Sequence, residues 1–290
     1  MWTETESSAA QKLIDLAFHE DLGDVGDVTS NAVLTEELRG EGIFVGRSAG
    51  VVAGLPLVTQ VFATISDRVQ ITPLVEDGTV IFPGQELATI VGPMRTILTG
   101  ERTALNFLQR LSGIATKTRA YVEAVGGTKA VVLDTRKTTP GWRVLEKYAV
   151  RCGGGKNHRM GLYDGVLIKD NHLAALADDQ DPIRQAVETA RSVTSSRLPI
   201  EIEVDNLRQF ESALGCQADI VLLDNMSTED MREAVELRNE RAPNVLLEAS
   251  GGITLERIPE IAATGVDRIS IGALTHSAVA LDIGLDYRTS

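Results

Sequence analysis

The second half of the chain repeats one short pattern, which constrains the fold more than any other feature of the sequence. Each repeat has a run of apolar, largely β-branched residues, a polar residue or two, and a stretch long enough for a helix. Near-continuous apolar strands that alternate with helices are typical of a parallel sheet with right-handed crossovers. The six runs are AVVLD (130–134), GVLIK (165–169), PIEIEV (199–204), DIVLL (219–223), NVLLEA (244–249) and DRISI (267–271).

Polar residues stand at the same end of every run. Six such units could close into a barrel or lie open as a doubly wound sheet. In a barrel the carboxyl ends of the strands converge on one site, whereas an open sheet would spread them along an edge. We therefore favour the barrel and expect its catalytic groups among Asp134 and Arg136, Lys169 and Asp170, Glu203 and Asp205, Asp224, Glu248 and Ser250, and Gly272.

The first half of the chain has a different pattern. Residues 8–20 place apolar side chains at helical spacing behind serines that can cap a helix. Short β-like runs separated by glycine, proline and Asp-Gly turns predict a small antiparallel sheet over residues 40–92. From residue 96 the leucine spacing predicts a long helix that leads into a second domain.

The charge and the cysteine content limit the class of protein. A formal net charge of −13 disfavours nucleic acid as a partner, although a small anion could still bind in a local positive cleft. Two cysteines give neither a disulfide framework nor metal-ligand spacing, which is typical of a reducing compartment. The N-terminus lacks an apolar signal region and no long apolar run occurs, so we expect a cytoplasmic location and no membrane contact.

Positive charge is concentrated in one segment of this acidic chain. Eight of the 28 lysine and arginine residues lie between Asp134 and His172, around the triplet Gly153–Gly155. The helical spacing of Arg143, Lys147 and Arg151 favours a solvated basic face. Arg136, Lys137 and Lys169 instead follow or end predicted strands, where arginine can bind carboxylate or phosphate in bidentate fashion and lysine supplies a point charge.

Three glycine sites could approach a phosphate. The Gly153–Gly155 triplet resembles an anion-binding nest of backbone N–H groups, with a flexible surface loop as the alternative. Ser250-Gly251-Gly252 and Gly272-Ala273 follow strands in the loops where parallel barrels commonly hold phosphate. Glu203 and Asp224 could contact ribose hydroxyls, bind Mg²⁺, or form internal ion pairs with arginines.

Longer segments resemble one family. DTRKTTPGWRVLEKYAVRCGGGKNHRMGLYDGVLIKDNH is similar to the central signature of quinolinate phosphoribosyltransferases. The resemblance continues, in that family's order, through nearly the whole chain. The further segments are EDLGDVGDVTS, ERTALNFLQRLSGIAT, EVDNL, DIVLLDNM, LEASGGI and GALTHSAVALDIGLD.

This resemblance implies an enzyme that converts quinolinate and phosphoribosyl pyrophosphate into nicotinate mononucleotide, pyrophosphate and carbon dioxide on the de novo route to NAD, with Mg²⁺. It implies an N-terminal α/β sandwich domain (1–112), an incomplete, TIM-like parallel α/β barrel of about six strands (113–275) and a C-terminal segment (276–290) that packs back on the first domain. It also implies a homodimer whose active site lies at the subunit interface.

The family's site residues match positions in this sequence. The resemblance implies that the quinolinate carboxylates are held by Arg136, His158, Arg159 and Lys169, with Arg102 from the other subunit. Lys137 would face the phosphoribosyl or pyrophosphate group. Glu203 and Asp224 would contact ribose and Mg²⁺, and Ser250, Gly251 and Gly272 would hold the 5′-phosphate.

Three other functions remain open at this point. A nicotinate phosphoribosyltransferase would use a monocarboxylate without decarboxylation, and the number of cations disfavours it. A Schiff-base lyase or aldolase would use Lys169 as a nucleophilic amine. A sugar-phosphate sensor would bind phosphoribosyl pyrophosphate through the same glycine loops without turnover.

Overall fold

A computed structural model describes residues 1–176, 181–194 and 198–287. The helices are α1 (Glu4–Leu22), α2 (Val28–Val33), α3 (Leu55–Ile65), α4 (Met94–Ala124), α5 (Arg143–Cys152), α6 (Asp170–Ala174), α7 (Pro182–Val193), α8 (Leu207–Leu214), α9 (Thr228–Arg241), α10 (Ile258–Ala262) and α11 (Ala273–His276). The strands are β1 (Arg39–Gly46), β2 (Gly50–Val51), β3 (Gln70–Pro73), β4 (Val80–Ile81), β5 (Glu86–Pro93), β6 (Val131–Leu133), β7 (Val166–Ile168), β8 (Ile200–Val204), β9 (Ile220–Asp224), β10 (Leu246–Ser250), β11 (Arg268–Ser270) and β12 (Ile283–Tyr287).

The chain forms two compact units, and neither is continuous in sequence. Unit 1 contains Met1–Arg119, Lys137–Gly154 and Ala273–Ser290. Unit 2 contains Ala120–Arg136 and Gly155–Gly272. A boundary therefore falls between Arg136 and Lys137, two neighbouring residues of the basic segment.

Unit 1 is built on an antiparallel sheet with strand order β12-β1-β5-β3. The C-terminal strand β12 pairs with β1, with Phe44 opposite Leu285. The core is apolar and includes Phe44, Phe62 and Leu87, which are fully buried. Helix α1 starts at Glu4, earlier than the sequence pattern predicted, because Thr3 and Glu6 form a capping box at its first turn.

Unit 2 confirms the parallel sheet predicted from the six apolar runs. Its strand order is β6-β11-β10-β9-β8-β7, and every neighbouring pair is parallel. Four of the five residues of β9 are buried, as expected for a strand covered on both faces. Strands β6 and β7 are the two ends of the sheet in the described part of the chain, so the barrel is incomplete.

Short polar caps start the helices that follow the strands of unit 2. Asn206 accepts a hydrogen bond from the Gln209 backbone N–H at the start of α8. Ser227 accepts one from the Asp230 N–H at the start of α9. The caps stabilise helices that start soon after their strands, so the loops at these carboxyl ends are short. Among the described residues, no helix combines the length and apolar character needed to span a membrane.

Candidate active site

Strand register places most of the expected unit 2 residues on one face of the sheet. Glu203 lies opposite Leu222, and Ser250 lies opposite Asp224. Residues paired across strands share a face, and so do residues two apart within a strand. Glu201, Glu203, Asp224, Glu248 and Ser250 therefore point to the same side.

One imidazole contacts carboxylates from two strands of this face. The imidazole Nε2 of His158 lies 3.0 Å from a carboxylate oxygen of Glu201 on β8 and 3.3 Å from one of Glu248 on β10. Strand β9 separates these two strands, and neighbouring strands are about 4.8 Å apart. The glutamate side chains of β8 and β10 therefore reach one imidazole across the intervening strand.

Lys169 and Glu203 form an ion pair at the mouth of this face. The Lys169 side chain is 44% exposed and that of Glu203 is 13% exposed, so the lysine can exchange its partner for a bound anion. The backbone N–H of Lys169 donates to His172 Nδ1 at 2.9 Å, which fixes the residue at the start of α6. Lys169 and Glu203, both predicted from strand ends, are thus brought together.

Two guanidinium groups lie close to each other in the same unit. Burial and repulsion from the Arg136 guanidinium lower the pKa of Arg159. Arg159 also donates to the Gly165 carbonyl oxygen at 3.1 Å, which holds its side chain in place. Two neighbouring cations repel each other unless an anion lies between them, so this arrangement favours binding of a carboxylate or phosphate.

The His158 side chain faces the protein interior and is only 10% exposed. Its Nε2 faces Glu201 and Glu248, while its Nδ1 accepts a hydrogen bond from the Arg159 backbone N–H at 2.8 Å. Both ring nitrogens are therefore engaged. The prediction that His158 holds a substrate carboxylate requires one of these contacts to break.

The carboxylates around His158 belong to a charge-balanced cluster. Glu248 is fully buried, and the Nε of Arg268 lies 2.9 Å from its Oε2. Burial lowers the pKa of His158, but its contacts with Glu201 and Glu248 outweigh this, so the pKa of the His158–Glu201 pair for losing its shared proton is raised. Burial also raises the pKa of Glu201. These shifts indicate that His158 and Glu201 together retain an extra proton at neutral pH. Because Nδ1 accepts the Arg159 N–H, we assign the extra proton to Glu201 and the neutral Nε2–H form to His158.

A third buried carboxylate joins the end of β6 to the segment around His158. Asp134 is fully buried and accepts hydrogen bonds from Asn157 Nδ2 at 2.6 Å and from the His158 N–H at 2.9 Å. Asp134 precedes Arg136 by two residues, and His158 precedes Arg159. The same carboxylate therefore fixes both backbone segments that carry the paired guanidinium groups.

Of the two predicted phosphate loops that follow strands, the one at Ser250-Gly251-Gly252 is closely packed. Gly251 has φ = +88°, and a Cβ there would lie 2.2 Å from Asn225 Oδ1. Asn225 itself has φ = +54°, its N–H donates to the Ser250 carbonyl oxygen at 2.9 Å, and its Nδ2 donates to Asp224 at 2.7 Å. Glycine is thus required at position 251, and the loop couples Ser250 to Asp224. Gly272 ends the unit 2 chain after β11.

Two expectations for the basic segment are wrong. Gly153 and Gly154 do not form an anion nest, because their N–H groups donate to the carbonyl oxygens of Ala149 and Arg151 at the end of α5. A Cβ at Gly153 would lie 2.5 Å from the Ala115 carbonyl oxygen, so close packing on α4 explains this glycine. Lys147 does not belong to a solvated face, since it is fully buried.

Lys137 and Arg102 lie in unit 1. The Lys137 side chain is exposed. Its backbone is held by a hydrogen bond of 2.7 Å, which Thr275 Oγ1 donates to the Lys137 carbonyl oxygen. Two residues later, the N–H and hydroxyl of Thr139 donate to the buried Glu146 carboxylate. Arg102 is exposed on α4 and borders a small cavity of about 200 Å³, together with Trp142.

Sequence reasoning missed the role of Glu201 and Arg268. Both were visible as charged residues inside otherwise apolar runs, PIEIEV and DRISI. A charge on the inner face of a buried strand is costly unless it is paired, so such a residue predicts a partner. The sequence offered no means of choosing that partner, because Glu201, Glu248 and His158 are far apart along the chain.

Comparisons with known proteins agree with this geometry. Residues 27–112 match the model of the quinolinate phosphoribosyl transferase N-terminal domain, and residues 114–286 match that of its C-terminal domain. The chain is 46% identical over 288 residues to a nicotinate-nucleotide pyrophosphorylase [carboxylating] of Mycobacterium leprae, covering 99% of this chain and 100% of that protein. It is 42% identical to a probable enzyme of the same name from Bacillus subtilis, covering 97% and 94%. The crystal structure of NadC from Streptococcus pyogenes is 38% identical, covers 99% of this chain and 100% of its own, and superposes with a TM-score of 0.91.

Proposed function

The chain belongs to the quinolinate phosphoribosyl transferase family, and on that premise we infer that it transfers a phosphoribosyl group to quinolinate with decarboxylation. The substrates are quinolinate and phosphoribosyl pyrophosphate. The products are nicotinate mononucleotide, pyrophosphate and carbon dioxide. The neighbouring guanidinium groups of Arg136 and Arg159 carry this proposal, because a bound carboxylate would offset their mutual repulsion.

We assign the quinolinate carboxylates to Arg136, Arg159 and Lys169. Arginine offers a planar pair of donors to each carboxylate, and Lys169 adds a movable cation from the strand end. Ser250, Gly251 and Gly272 are assigned to the 5′-phosphate, and Lys137 to the pyrophosphate. The tight Gly251–Asn225 packing supports the phosphate assignment, since it fixes the backbone of the loop that follows β10.

The donor set of Glu203 and Asp224 fits Mg²⁺. The two carboxylates are on neighbouring strands and share a face, and Mg²⁺ in such enzymes commonly takes one or two carboxylates with substrate oxygens. Lys169 contacts one oxygen of Glu203, and Asn225 one of Asp224. When bound there, Mg²⁺ would neutralise charge on the pyrophosphate leaving group.

The chain's own residues then act mainly by position and charge. Departure of pyrophosphate from ribose leaves positive character on the anomeric carbon, and Lys137 would stabilise the negative leaving group. The carboxylate contacts would orient the pyridine nitrogen toward that carbon. Once alkylated, the cationic nitrogen stabilises the electron pair left on the adjacent ring carbon when the carboxylate leaves as carbon dioxide. A proton from solvent then adds to that carbon to give nicotinate mononucleotide.

The deciding experiment is turnover by the purified protein. Quinolinate, phosphoribosyl pyrophosphate and Mg²⁺ should yield nicotinate mononucleotide and carbon dioxide in equal amounts. Nicotinate in place of quinolinate should give no nucleotide, whereas its turnover would identify the monocarboxylate transferase. A borohydride-trapped adduct on Lys169 would identify a Schiff-base lyase, and binding of phosphoribosyl pyrophosphate without product from a folded protein would identify a sensor.

We also propose a cytoplasmic homodimer in which Arg102 completes the partner's site. Both cysteines are free, which suits a reducing compartment, and Arg102 is exposed on α4. Arg102→Ala and Lys169→Ala should each be inactive alone. If one subunit supplies Arg102 to the other, mixing the two variants with subunit exchange should restore part of the activity. A mixture that forms mixed dimers and stays inactive would contradict the shared site.

A further inference from the structure

We propose that His158 is a positioning residue that sets the place of Arg159, and that Glu201 and Glu248 hold it there from inside the barrel. This inference rests on the proposed function, since it assigns the way in which that same site is held. In this role His158 does not bind the acid substrate itself. The hydrogen-bonding geometry of the imidazole is the evidence for the proposal.

Both ring nitrogens of His158 already have partners in the protein. Nε2 lies 3.0 Å from Glu201 and 3.3 Å from Glu248, and Nδ1 accepts the Arg159 N–H at 2.8 Å. An imidazole has two hydrogen-bonding positions in its ring plane, so the third partner needed for a substrate contact has no place. The ring is also nearly enclosed, with 10% of its side chain exposed.

The contact with Arg159 links the ring to the site. The Arg159 N–H is fixed by His158 Nδ1, and its guanidinium is fixed by the Gly165 carbonyl oxygen. These two hydrogen bonds fix the position of the Arg159 guanidinium beside Arg136. A ring that lost its Nε2 acceptors could rotate about its side-chain bonds and release the Arg159 N–H.

The two glutamates are well suited to holding the ring. Glu201 is 3% exposed and Glu248 is fully buried, so neither can reach solvent. Arg268 neutralises Glu248 at 2.9 Å. His158, Glu201 and Glu248 also have the ligand types of a metal site, with their ligand atoms within 4.8 Å of one another. Arg268 already pairs with Glu248 at this position, so we assign the cluster to holding the ring.

The test compares Glu201→Leu, Glu201→Gln and His158→Leu. Glutamine keeps an oxygen that can accept from Nε2–H, whereas leucine removes it at similar volume. We expect Glu201→Leu and His158→Leu to raise the KM for quinolinate by about tenfold or more, which corresponds to about 1.4 kcal/mol. The KM for phosphoribosyl pyrophosphate should change little, and Glu201→Gln should stay near the parent value. The double Leu variant should be no worse than either single variant, because both break one chain of contacts.

Arg238→Met is the matched control. Arg238 is 3% exposed and pairs with Asp267 at 2.7 Å, in the same unit but at the amino ends of the strands. It should lower the melting temperature and leave the quinolinate KM unchanged. If His158→Leu raises that KM while a folded Glu201→Leu does not, His158 binds the substrate itself and the proposal fails.

A second measurement uses the parent protein and needs no turnover. It therefore tests the proposal even if a variant fails to fold or the enzyme is inactive. The chain has only four histidines. In the ¹⁵N spectrum of the labelled parent protein, the imidazole signals of His158 are therefore identified as those that disappear in His158→Gln. We expect the neutral Nε2–H form of His158, with an unprotonated Nδ1, before and after quinolinate is added. A doubly protonated ring, or a change of form on adding quinolinate, would overturn the positioning role. Without turnover this signal still tests the geometry, so the two proposals can fail separately.

Discussion

At the scale of single residues, the positive site depends on buried negative charge behind it. Asp134 fixes the backbone near Arg136 and Arg159, and Glu201 and Glu248 fix the ring between them. Buried carboxylates of this kind are costly unless they are paired and hydrogen-bonded. Hydrogen bonds to these carboxylates offset that cost, and they keep Arg136 and Arg159 near each other although the two like charges repel. Each cation can then be tested by itself.

Replacing Arg136 by Ala should weaken quinolinate binding. A bidentate pair of charge-assisted hydrogen bonds contributes about 3 kcal/mol, so the KM for quinolinate should rise roughly 100-fold. Initial rates over a range of quinolinate concentrations measure this. Arg208→Ala on the exposed side of α8 is the control and should behave like the parent. Near-normal kinetics in Arg136→Ala would remove that residue from the quinolinate site.

Replacing Gly251 by Ala should affect the phosphate end instead. A Cβ would collide with Asn225, and φ = +88° is strained for alanine, with a cost of about 1 to 2 kcal/mol. We expect the KM for phosphoribosyl pyrophosphate to rise at least tenfold while that for quinolinate changes much less. Gly127→Ala is a matched control, because its φ is +84° but no atom lies within 4 Å of the added Cβ. Equal effects on both KM values would show that Gly251 only supports the fold.

The two cysteines should be slow to react in the folded protein. Burial, with the nearby Asp77 charge, raises the pKa of Cys152 to about 11, and burial raises that of Cys216. Since the thiolate is the reactive form, iodoacetamide at pH 8 should label neither during a period that fully labels the unfolded chain. Intact mass measured over time checks this. Rapid single labelling of native protein would show that one thiol is activated.

At the scale of elements, the sequence was informative where pattern and burial agree. The six apolar runs predicted the strands of unit 2, because strands buried on both faces need near-continuous apolar sequence. The same strand ends predicted that Lys169 and Glu203 lie at one site, and the structure joins the two in an ion pair. The sequence did not reveal that residues 137–154 belong with unit 1, because that grouping depends on long-range packing. For the same reason Lys147 was placed on a solvated face although it is fully buried.

The loop of Lys137 depends on a buried ion pair between α4 and α5. Arg110 donates to Glu146 at 2.7 Å and to the Thr275 carbonyl oxygen at 2.7 Å, while Glu146 also accepts from Thr139. Glu146→Ala should therefore reduce the free energy of unfolding by about 3 kcal/mol and raise the KM for phosphoribosyl pyrophosphate. Urea unfolding measures the first and initial rates the second.

An exposed ion pair provides the control for this change. Arg241 and Glu211 are 2.9 Å apart, with about half of each side chain exposed. Glu211→Ala should change the free energy of unfolding by less than about 1 kcal/mol. If Glu146→Ala is as mild as Glu211→Ala, the loop is held by other contacts.

At the scale of the whole molecule, the carboxylates fall into two groups with opposite responses to acid. Glu6, Asp27 and Asp267 have a lowered pKa because cations or N–H and hydroxyl donors stabilise their charge against the cost of burial. Asp77 and Glu201 have a raised pKa because burial dominates. The first group contributes stability that disappears in acid, and the second contributes stability that is lost as the pH rises. The chain's net charge of −13 at neutral pH adds repulsion that acid first relieves.

Asp267 isolates the first of these effects. Burial raises its pKa, but the Leu247 N–H, Lys129 and Arg238 lower it by more. Because the folded pKa lies below the unfolded value of about 3.9, its contribution is fully present above that value and is lost as the pH falls through the folded pKa. Asp267→Asn should thus cost about 1 kcal/mol at pH 7, allowing for solvent screening, and almost nothing near pH 2. Urea unfolding of both proteins from pH 7 to pH 2 tests this, with exposed Asp67→Asn as the control. A difference that stays constant with pH would mean that Asp267 acts through its shape and hydrogen bonds rather than through its charge.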